Sequence, residues 1–288
     1  MSVRKYEIMK NFYLIVNPTR DIGLDAAKEI EGYLKERGCA YSTHIAASID
    51  GDDRYTDSSL IPQGTECILV LGGDGTLIQA ANDVAELDVP LLGINTGRLG
   101  YLTDVEKEDI IPSLDALISD KYTVDERMMI TGDIVSGDRV IASGSSLNDI
   151  VVHRQGDMRV VEFDVYVNKK FLKSYRADGI IVCTPTGSTA YSLSAGGPIV
   201  EPGSKLFIIT PICPHTLNSR SVVLSAEDEI YISTGKKDIA AAFDGRGITA
   251  LPEDGGVRIT KSEKVTKIVR LHDNSFLNVL HNKFKDEV

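Results

Sequence analysis

Residues 67 to 81 read Cys-Ile-Leu-Val-Leu-Gly-Gly-Asp-Gly-Thr-Leu-Ile-Gln-Ala-Ala, and they leave the chain around them few ways to fold. The continuous apolar run at 68–71 predicts a buried strand, residues 72–75 a tight turn, and Thr76 onward a helix with Leu77, Ala81, Val84 and Ala85 on one face. One acidic side chain, Asp74, therefore stands where a strand ends and a helix begins. The first amides of a helix have no carbonyl partners inside it, and the helix dipole adds partial positive charge, so such a turn accepts phosphate oxygens or a carboxylate. Glycines on both sides of Asp74 leave room for a ligand's phosphates. The Gly-Lys-Ser/Thr ending of a Walker A loop is absent. A plainer reading stands beside this one: Thr76-Leu-Ile-Gln79 fits a capping box, and an Asp before a helix is a common start signal. On spacing alone, capping and catalysis weigh about evenly.

The flanking sequence sets this unit in an α/β domain. Residues 12–18 predict a first buried strand closed by Asn17-Pro18, and residues 24–37 a helix with Gly38 as its cap. Residues 48–64 are polar and read as a weakly structured connection. Residues 89–95 predict another buried strand, with 96–100 as its loop. Strands alternating with helices imply a mainly parallel sheet, whose ligands lie beyond the carboxyl ends of the strands, where both glycine-bearing loops fall.

After a helix at 107–119 the texture changes. From Arg127 to about residue 260 the chain reads as short strands and turns: 128–135, a turn at 136–138, then a strand from Val140. Val161, Phe163, Val165 and Val167 alternate with polar partners, the period of a half-buried strand, and 168–170 suggests a hairpin. Residues 222–224 and 230–233 continue the pattern, so a second, mainly antiparallel β domain follows. The stretch 269–284 loses the alternation and reads as helical.

With 31 Lys and Arg against 42 Asp and Glu, the net charge is -11, which argues against a general nucleic-acid or anionic-membrane binder. No apolar run reaches membrane-spanning length and no signal-peptide pattern opens the chain, so a cytoplasmic location is expected. Cys39, Cys67, Cys183 and Cys213 lack metal-binding spacing, and neither disulfides nor structural zinc are expected.

Residues 176–202 have the most unusual composition in the chain. An apolar strand at 180–183 delivers a cluster of hydroxyls and glycines suited to sugar, amide and phosphate groups, although the same residues also make a long turn. Tyr191 could stack on a planar base, and Asp178 could accept hydrogen bonds from a ligand. Asn148-Asp149, just before a strand at 150–152, and Asp244-Gly245-Arg246 are weak signals singly. His215 has no partner spacing for a triad or a metal.

Together these elements resemble the NAD kinase family. The likeness runs through Gly72-Gly73-Asp74-Gly75-Thr76, Gly93-Ile-Asn-Thr-Gly-Arg-Leu-Gly-Tyr-Leu102, Leu147-Asn148-Asp149 and Asp178-Gly179. It continues through Thr184-Pro-Thr-Gly-Ser-Thr-Ala-Tyr191, Ser194-Ala-Gly-Gly-Pro-Ile199, Pro211-Ile-Cys-Pro-His215 and Phe243-Asp-Gly-Arg246. The Gly-Gly-Asp-Gly element alone is shared with lipid kinases and phosphofructokinases; the block from Thr184 is far more specific.

The resemblance implies an α/β domain at 1–125, joined by a tail at 268–288, and an all-β NAD-binding domain at 126–267, with the site between them. The implied reaction moves the terminal phosphoryl group of ATP, or of polyphosphate, to the adenosine ribose 2'-hydroxyl of NAD. Asp74 would be the general base. Gly72, Gly73, Gly75 and Thr76 would hold phosphates. Asp74, Gly75, Asn148, Asp149, Arg176, Asp178, Thr189, Ala190, Tyr191, Ser194 and Asp244 would contact NAD. Mg2+ or another divalent cation would arrive on the ATP phosphates rather than on a protein metal site, and protomers would form homodimers or homotetramers. Arg98 is assigned no role. One departure stands out: the family's usual Asn-Glu is Asn148-Asp149 here, which shortens the carboxylate's reach by a methylene. Two alternatives are a diacylglycerol-type lipid kinase, which lacks a basic membrane-facing stretch here, and a non-enzymatic nucleotide sensor, which Asp74 disfavours.

Overall fold

The computed structural model describes residues 9–46, 56–97, 100–156, 160–216, 219–233, 235, 238–271 and 276–285, so the readings for 48–55 and Arg98 lie outside the described residues. The chain separates into two compact units, one made of residues 1–126 and 266–288, the other of 127–265.

In the first unit, strand β1 (Asn11–Val16) leads to helix α1 (Asp25–Glu36) and strand β2 (Ala40–Ile45), and then come β3 (Cys67–Gly72), α2 (Asp74–Asp83), β4 (Leu91–Asn95) and α3 (Ile110–Ile118). The strands lie in the order β2-β1-β3-β4 and every pairing is parallel. Helix α1 forms because Ala26, Ala27, Ile30 and Leu34 share one buried face, and Gly38, at φ 69, ends it in a conformation that suits glycine. That face packs with Leu14, Val16, Leu69, Leu71, Leu92 and Ile94 of the sheet. Each such aliphatic side chain contributes about 1.5–3 kcal/mol relative to exposure.

From β1 the chain goes out to β2 on one side and returns to β3 on the other. The topological switch point therefore lies between β1 and β3, where Asn17 and residues 72–75 emerge together. The structure corrects two sequence readings here. Helix α2 begins at Asp74, not Thr76, and stops at Asp83, leaving Ala85 beyond it. Strand β2 was not anticipated: it is an edge strand paired on one side only, so Tyr41 and Ile45 stay exposed and no buried apolar run marks it.

The second unit contains β5 (Thr123–Ser136), β6 (Arg139–Ser146), β7 (Asp149–Arg154), β8 (Val161–Val167), β9 (Lys170–Ala177), β10 (Gly179–Cys183), the one-turn helix α4 (Tyr191–Ser194), β11 (Leu206–Ile212), β12 (Val222–Ser225), β13 (Ile230–Ser233), β14 (Ile239–Phe243), β15 (Arg246–Ala250) and β16 (Gly255–Arg270). Six strands form an antiparallel sheet in the order β12-β11-β10-β7-β14-β15. Strands β16-β13-β8-β9 pair antiparallel in a second sheet, with β5 on β16 and β6 on β5. Alternate residues of both sheets, among them Ile150, Val152, Ile180, Val182, Phe163, Val165, Ile230 and Ile232, meet in one core. The opposite face of the six-stranded sheet, at Val151, Ile181, Cys183 and Ile208, is covered by Ala195 and Val200 of the hydroxyl-rich segment.

The end of β16 belongs to the first unit, where Ile268 pairs in parallel with Leu91. Val269 and Arg270 are therefore strand, not helix as their spacing suggested; the β-branched run Val-Thr-Lys-Ile-Val favours a strand, and helix α5 spans only Phe276–Lys285. Fold class is thus an α/β unit with a mainly parallel sheet and a mainly β unit. Among the described residues no helix is long and apolar enough to cross a membrane.

Candidate active site

In the first unit, the chemistry gathers at the carboxyl ends of β1, β3 and β4. Gly73, in extended backbone, caps α2 without a side chain, and the amides of Thr76 and Leu77 both donate to its carbonyl. The amides of Asp74 and Gly75 come too early in the helix to reach an internal carbonyl. A Cβ at Gly72 would lie 2.4 Å from Thr76 Oγ1, whereas none at Gly73 or Gly75 would meet any atom within 4 Å. Gly72 is thus required by packing, while Gly73 and Gly75 leave space in front of the helix start.

Thr76 does not cap the helix. It is buried, and its hydroxyl accepts from Asn17 Nδ2 at 3.1 Å. Asn17 Oδ1 in turn accepts from the Thr19 amide and hydroxyl at 3.0 and 2.8 Å, tying the loop after β1 to the start of α2. In sequence Asn17 reads as a turn residue; its place at the end of a parallel strand, like that of Asp74, is the signal that marks it.

The Asp74 carboxylate is held by the loop after β4. Oδ2 accepts from the Tyr101 amide at 2.7 Å, while Oδ1 accepts from the amides of Leu102 at 3.1 Å and Thr103 at 3.2 Å and from the Thr103 hydroxyl at 3.3 Å. A Cβ at Gly100 would fall 1.9 Å from Oδ1, so only glycine permits this approach. The loop is braced from behind. Arg270 donates to the Leu102 carbonyl at 3.0 Å and forms ion pairs with Asp104 at 3.4 Å and Asp125 at 3.2 Å, and the Leu271 amide donates to Asp104 at 2.8 Å. Asp104 and Arg270 are 166 residues apart, and no local pattern could have revealed the pair.

In the second unit, Asp244 plays a matching part. Its carboxylate accepts from the amides of Leu147, Asn148 and Asp149 at 2.7, 3.0 and 2.8 Å, and its own amide donates to the Asp149 carbonyl at 3.0 Å. Asp149 is buried beside it, and burial, then the Asp244 charge, pushes its carboxyl up to about 7. Asn148 is also buried, and among the described residues its Oδ1 has no hydrogen-bond partner. A Cβ at Gly187 would lie 2.3 Å from the Asn148 carbonyl oxygen, which fixes the turn at 186–189 against this segment.

The hydroxyl-rich segment divides into two sets. Thr184 donates to the Leu147 carbonyl at 2.6 Å, Ser188 exchanges hydrogen bonds with Val200, and Ser192 shares one with Thr210 at 3.1 Å; all three are buried and structural. Tyr191 and Ser194 are exposed, Tyr191 with 46% of its surface, while Thr189 and Ala190 are half-buried and the Thr189 hydroxyl donates to the Thr186 carbonyl at 3.4 Å. Asp178 accepts from Arg154 Nε at 2.9 Å, and that guanidinium holds its carboxyl below the usual carboxylate range. Arg154 belongs to no motif in the sequence, and the pairing of β7 with β10 is what brings it to Asp178. Arg176, on β9, is exposed, and its carbonyl accepts from the His215 amide. Among the described residues no cluster of three or more His, Cys, Asp or Glu could hold a metal ion. All four cysteines are free, and only Cys213 is exposed.

A carboxylate at the start of a helix, with helix amides beside it open to phosphate oxygens, is suited to phosphoryl transfer. The ATP-NAD kinase N-terminal domain model matches residues 53–122, and the ATP-NAD kinase C-terminal domain model matches residues 147–271. The NAD kinase of Lachnospira eligens is 42% identical over 96% of this chain and 100% of its own length, and that of Agathobacter rectalis is 41% identical over 96% and 98%. The crystal structure of yeast NADH kinase complexed with NADH superposes at a TM-score of 0.85 and 23% identity, covering 97% of this chain and 89% of that one. An NAD kinase from Archaeoglobus fulgidus in complex with ATP gives a TM-score of 0.77 at 26% identity, covering 94% and 97%. The chain belongs to the NAD kinase family, and it is an enzyme.

Proposed function

We propose that the enzyme transfers the terminal phosphoryl group of ATP to the 2'-hydroxyl of the adenosine ribose of NAD, giving NADP, with Asp74 as general base. The observation that carries this reading is the uneven loading of the Asp74 carboxylate. Among the described residues Oδ1 takes three donors, whereas Oδ2 takes one, the Tyr101 amide. A carboxylate oxygen has two lone pairs, so Oδ2 keeps one for a substrate hydroxyl while the loop amides fix its direction. In the step, the ribose oxygen forms a bond to the γ-phosphorus, the bond from that phosphorus to the β-phosphate's bridging oxygen breaks, and the hydroxyl proton passes to Oδ2.

The ATP phosphates are assigned to the α2 amides, with the open space at Gly73 and Gly75 in support. A divalent cation such as Mg2+ carried by those phosphates supplies charge neutralisation. NAD is assigned to Asn148, Asp149, Asp178, Thr189, Ala190, Tyr191 and Ser194, and the unsatisfied Asn148 Oδ1 supports this, because a buried acceptor without a partner is costly unless a ligand supplies the donor. Asp244 is given the part of holding the 147–149 amides in place, and Arg176 a peripheral one. The reading thus gives the phosphate chemistry to 1–125 with 268–288 and NAD binding to 126–267. It includes a homodimer or homotetramer in the cytoplasm.

The test is an assay of the purified chain with Mg2+ and either ATP or polyphosphate as donor, and with NAD or diacylglycerol as acceptor. NADP detected by an NADP-specific dehydrogenase, with ATP and NAD only, is the expected result. Phosphorylated lipid, or no NADP from folded protein, contradicts the proposal.

A further inference from the structure

The second sheet of the 127–265 unit carries a row of side chains on the face turned away from its core. Tyr166 of β8 lies directly across from Tyr231 of β13, and Tyr231 directly across from Arg258 of β16. Their strand neighbours Val165, Ile230, Ile232, Val257 and Ile259 point the other way, into the core. The two tyrosine rings are 6.2 Å apart and tilted by 47°, and they floor a cavity of about 350 Å³ also lined by Lys169, Glu229 and Ser233. That volume falls at the lower end of small-molecule sites, which run from about 300 to 1,000 Å³. Asn148 and Asp149 lie at the start of β7 in the other sheet of this unit, and none of the residues assigned to NAD lines the cavity, so the two are separate sites.

The cations at its rim are placed deliberately. The hairpin between β8 and β9 turns through Asn168 at φ 49 and Lys169 at φ 65, the two left-handed positions that favour Asn followed by Gly. Asn168 meets the demand: its side chain donates to Asp228 at 2.6 Å and accepts from the Glu229 amide at 2.9 Å. Lys169 does not, since a lysine in this conformation is strained where a glycine would be relaxed. Arg258 is anchored by Nη2 to Asp133 at 2.8 Å. Beside these two cations stands the Glu229 carboxylate. Glu229 and the Asp133 partner of Arg258 offset much of the cationic charge, so a ligand with a single phosphate group, a flat ring and hydroxyl donors matches this lining better than a polyphosphate does.

We propose that this cavity binds a nucleoside monophosphate, its base on Tyr166 and Tyr231, its phosphate at Lys169 and Arg258, and its ribose hydroxyls donating to Glu229. Aromatic floors of this kind accept any planar base, and the guanidinium and ammonium supply the charge. The strain at Lys169 is then retained because the ammonium is needed there.

The experiment is a calorimetric titration of AMP into the full chain under saturating NAD, repeated with Lys169→Gly, Tyr166→Ala and Tyr191→Ala. Saturable AMP binding is expected, at least tenfold weaker in Lys169→Gly and Tyr166→Ala and unchanged in Tyr191→Ala. Lys169→Gly should also melt higher than the parent, because glycine relaxes the turn, so its weaker binding cannot come from a failure to fold. No saturable heat with the parent, parental affinity in Lys169→Gly, or loss of binding only in Tyr191→Ala each overturns the proposal.

Discussion

Two aspartates in this chain act as clamps on backbone. Asp74 gathers the amides of Tyr101, Leu102 and Thr103, and Asp244 those of Leu147, Asn148 and Asp149. Hydrogen bonds to a charged acceptor are about twice as strong as neutral ones, so three in a row set the shape of a loop firmly. The cost falls on Asp149, buried beside the Asp244 charge with its carboxyl pushed from 3.8 up to about 7. At pH below 3.8 both states hold that proton and it contributes nothing. Between 3.8 and about 7 the unfolded chain releases it while the native state keeps it, so stability falls as pH rises and stays lowered above 7. Asp149→Asn should therefore melt above the parent by about 2–6 °C at pH 8 and by less at pH 5. Differential scanning calorimetry at the two values checks this, and a gain that does not grow with pH counts against a strained Asp149 carboxyl. Asp74 was legible in sequence because glycines flank it between an apolar run and a helical pattern. The clamping by Asp244 was not, since Asp-Gly is an ordinary turn pair and its partners lie 95 to 97 residues away.

At the scale of elements, the loop between β4 and α3 carries the burden, because it presents amides to Asp74 on one side and receives Arg270 on the other. Asp104 is 7% exposed and bound to Arg270 and the Leu271 amide. Removing one partner of a buried ion pair costs up to about 3–5 kcal/mol, and the Leu271 amide that stays on Asp104 keeps the loss below that bound. The Asp125 contact is more exposed and adds little. Arg270→Ala should thus lower the melting temperature clearly and reduce kcat more than it raises KM, since the loop orients a base rather than binding substrate. Steady-state kinetics on folded protein would read the split; a change confined to KM would separate Arg270 from Asp74. Among elements, β3, β4 and the hairpin of β8 and β9 were readable from apolar runs and strict alternation. The edge strand β2 and the end of β16 at Val269 and Arg270 were not, because one is paired on a single side and the other loses the inward and outward alternation where β16 meets its parallel partner Leu91.

Across the whole molecule, two hydrophobic cores support two kinds of chemistry. The parallel sheet points three loops, after β1, β3 and β4, at one carboxyl edge, and the antiparallel unit holds a buried acceptor, Asn148, and an exposed tyrosine, Tyr191. Both fold classes were legible, since alternation of strand and helix and then of inward and outward residues declares each. The split of the hydroxyl-rich segment into buried braces and outward groups was not, because composition cannot say which hydroxyl faces the sheet. The central claim is that the oriented Asp74 carboxylate receives the proton of the attacking hydroxyl, and Asp74→Asn tests it most directly. Asn keeps an acceptor for the Leu102 and Thr103 amides but loses the basic oxygen. Turnover to NADP should fall by about 10²–10⁴-fold while the dissociation constant for NAD, measured by titration calorimetry, stays within about threefold; NADP formation at the parental rate would contradict the account.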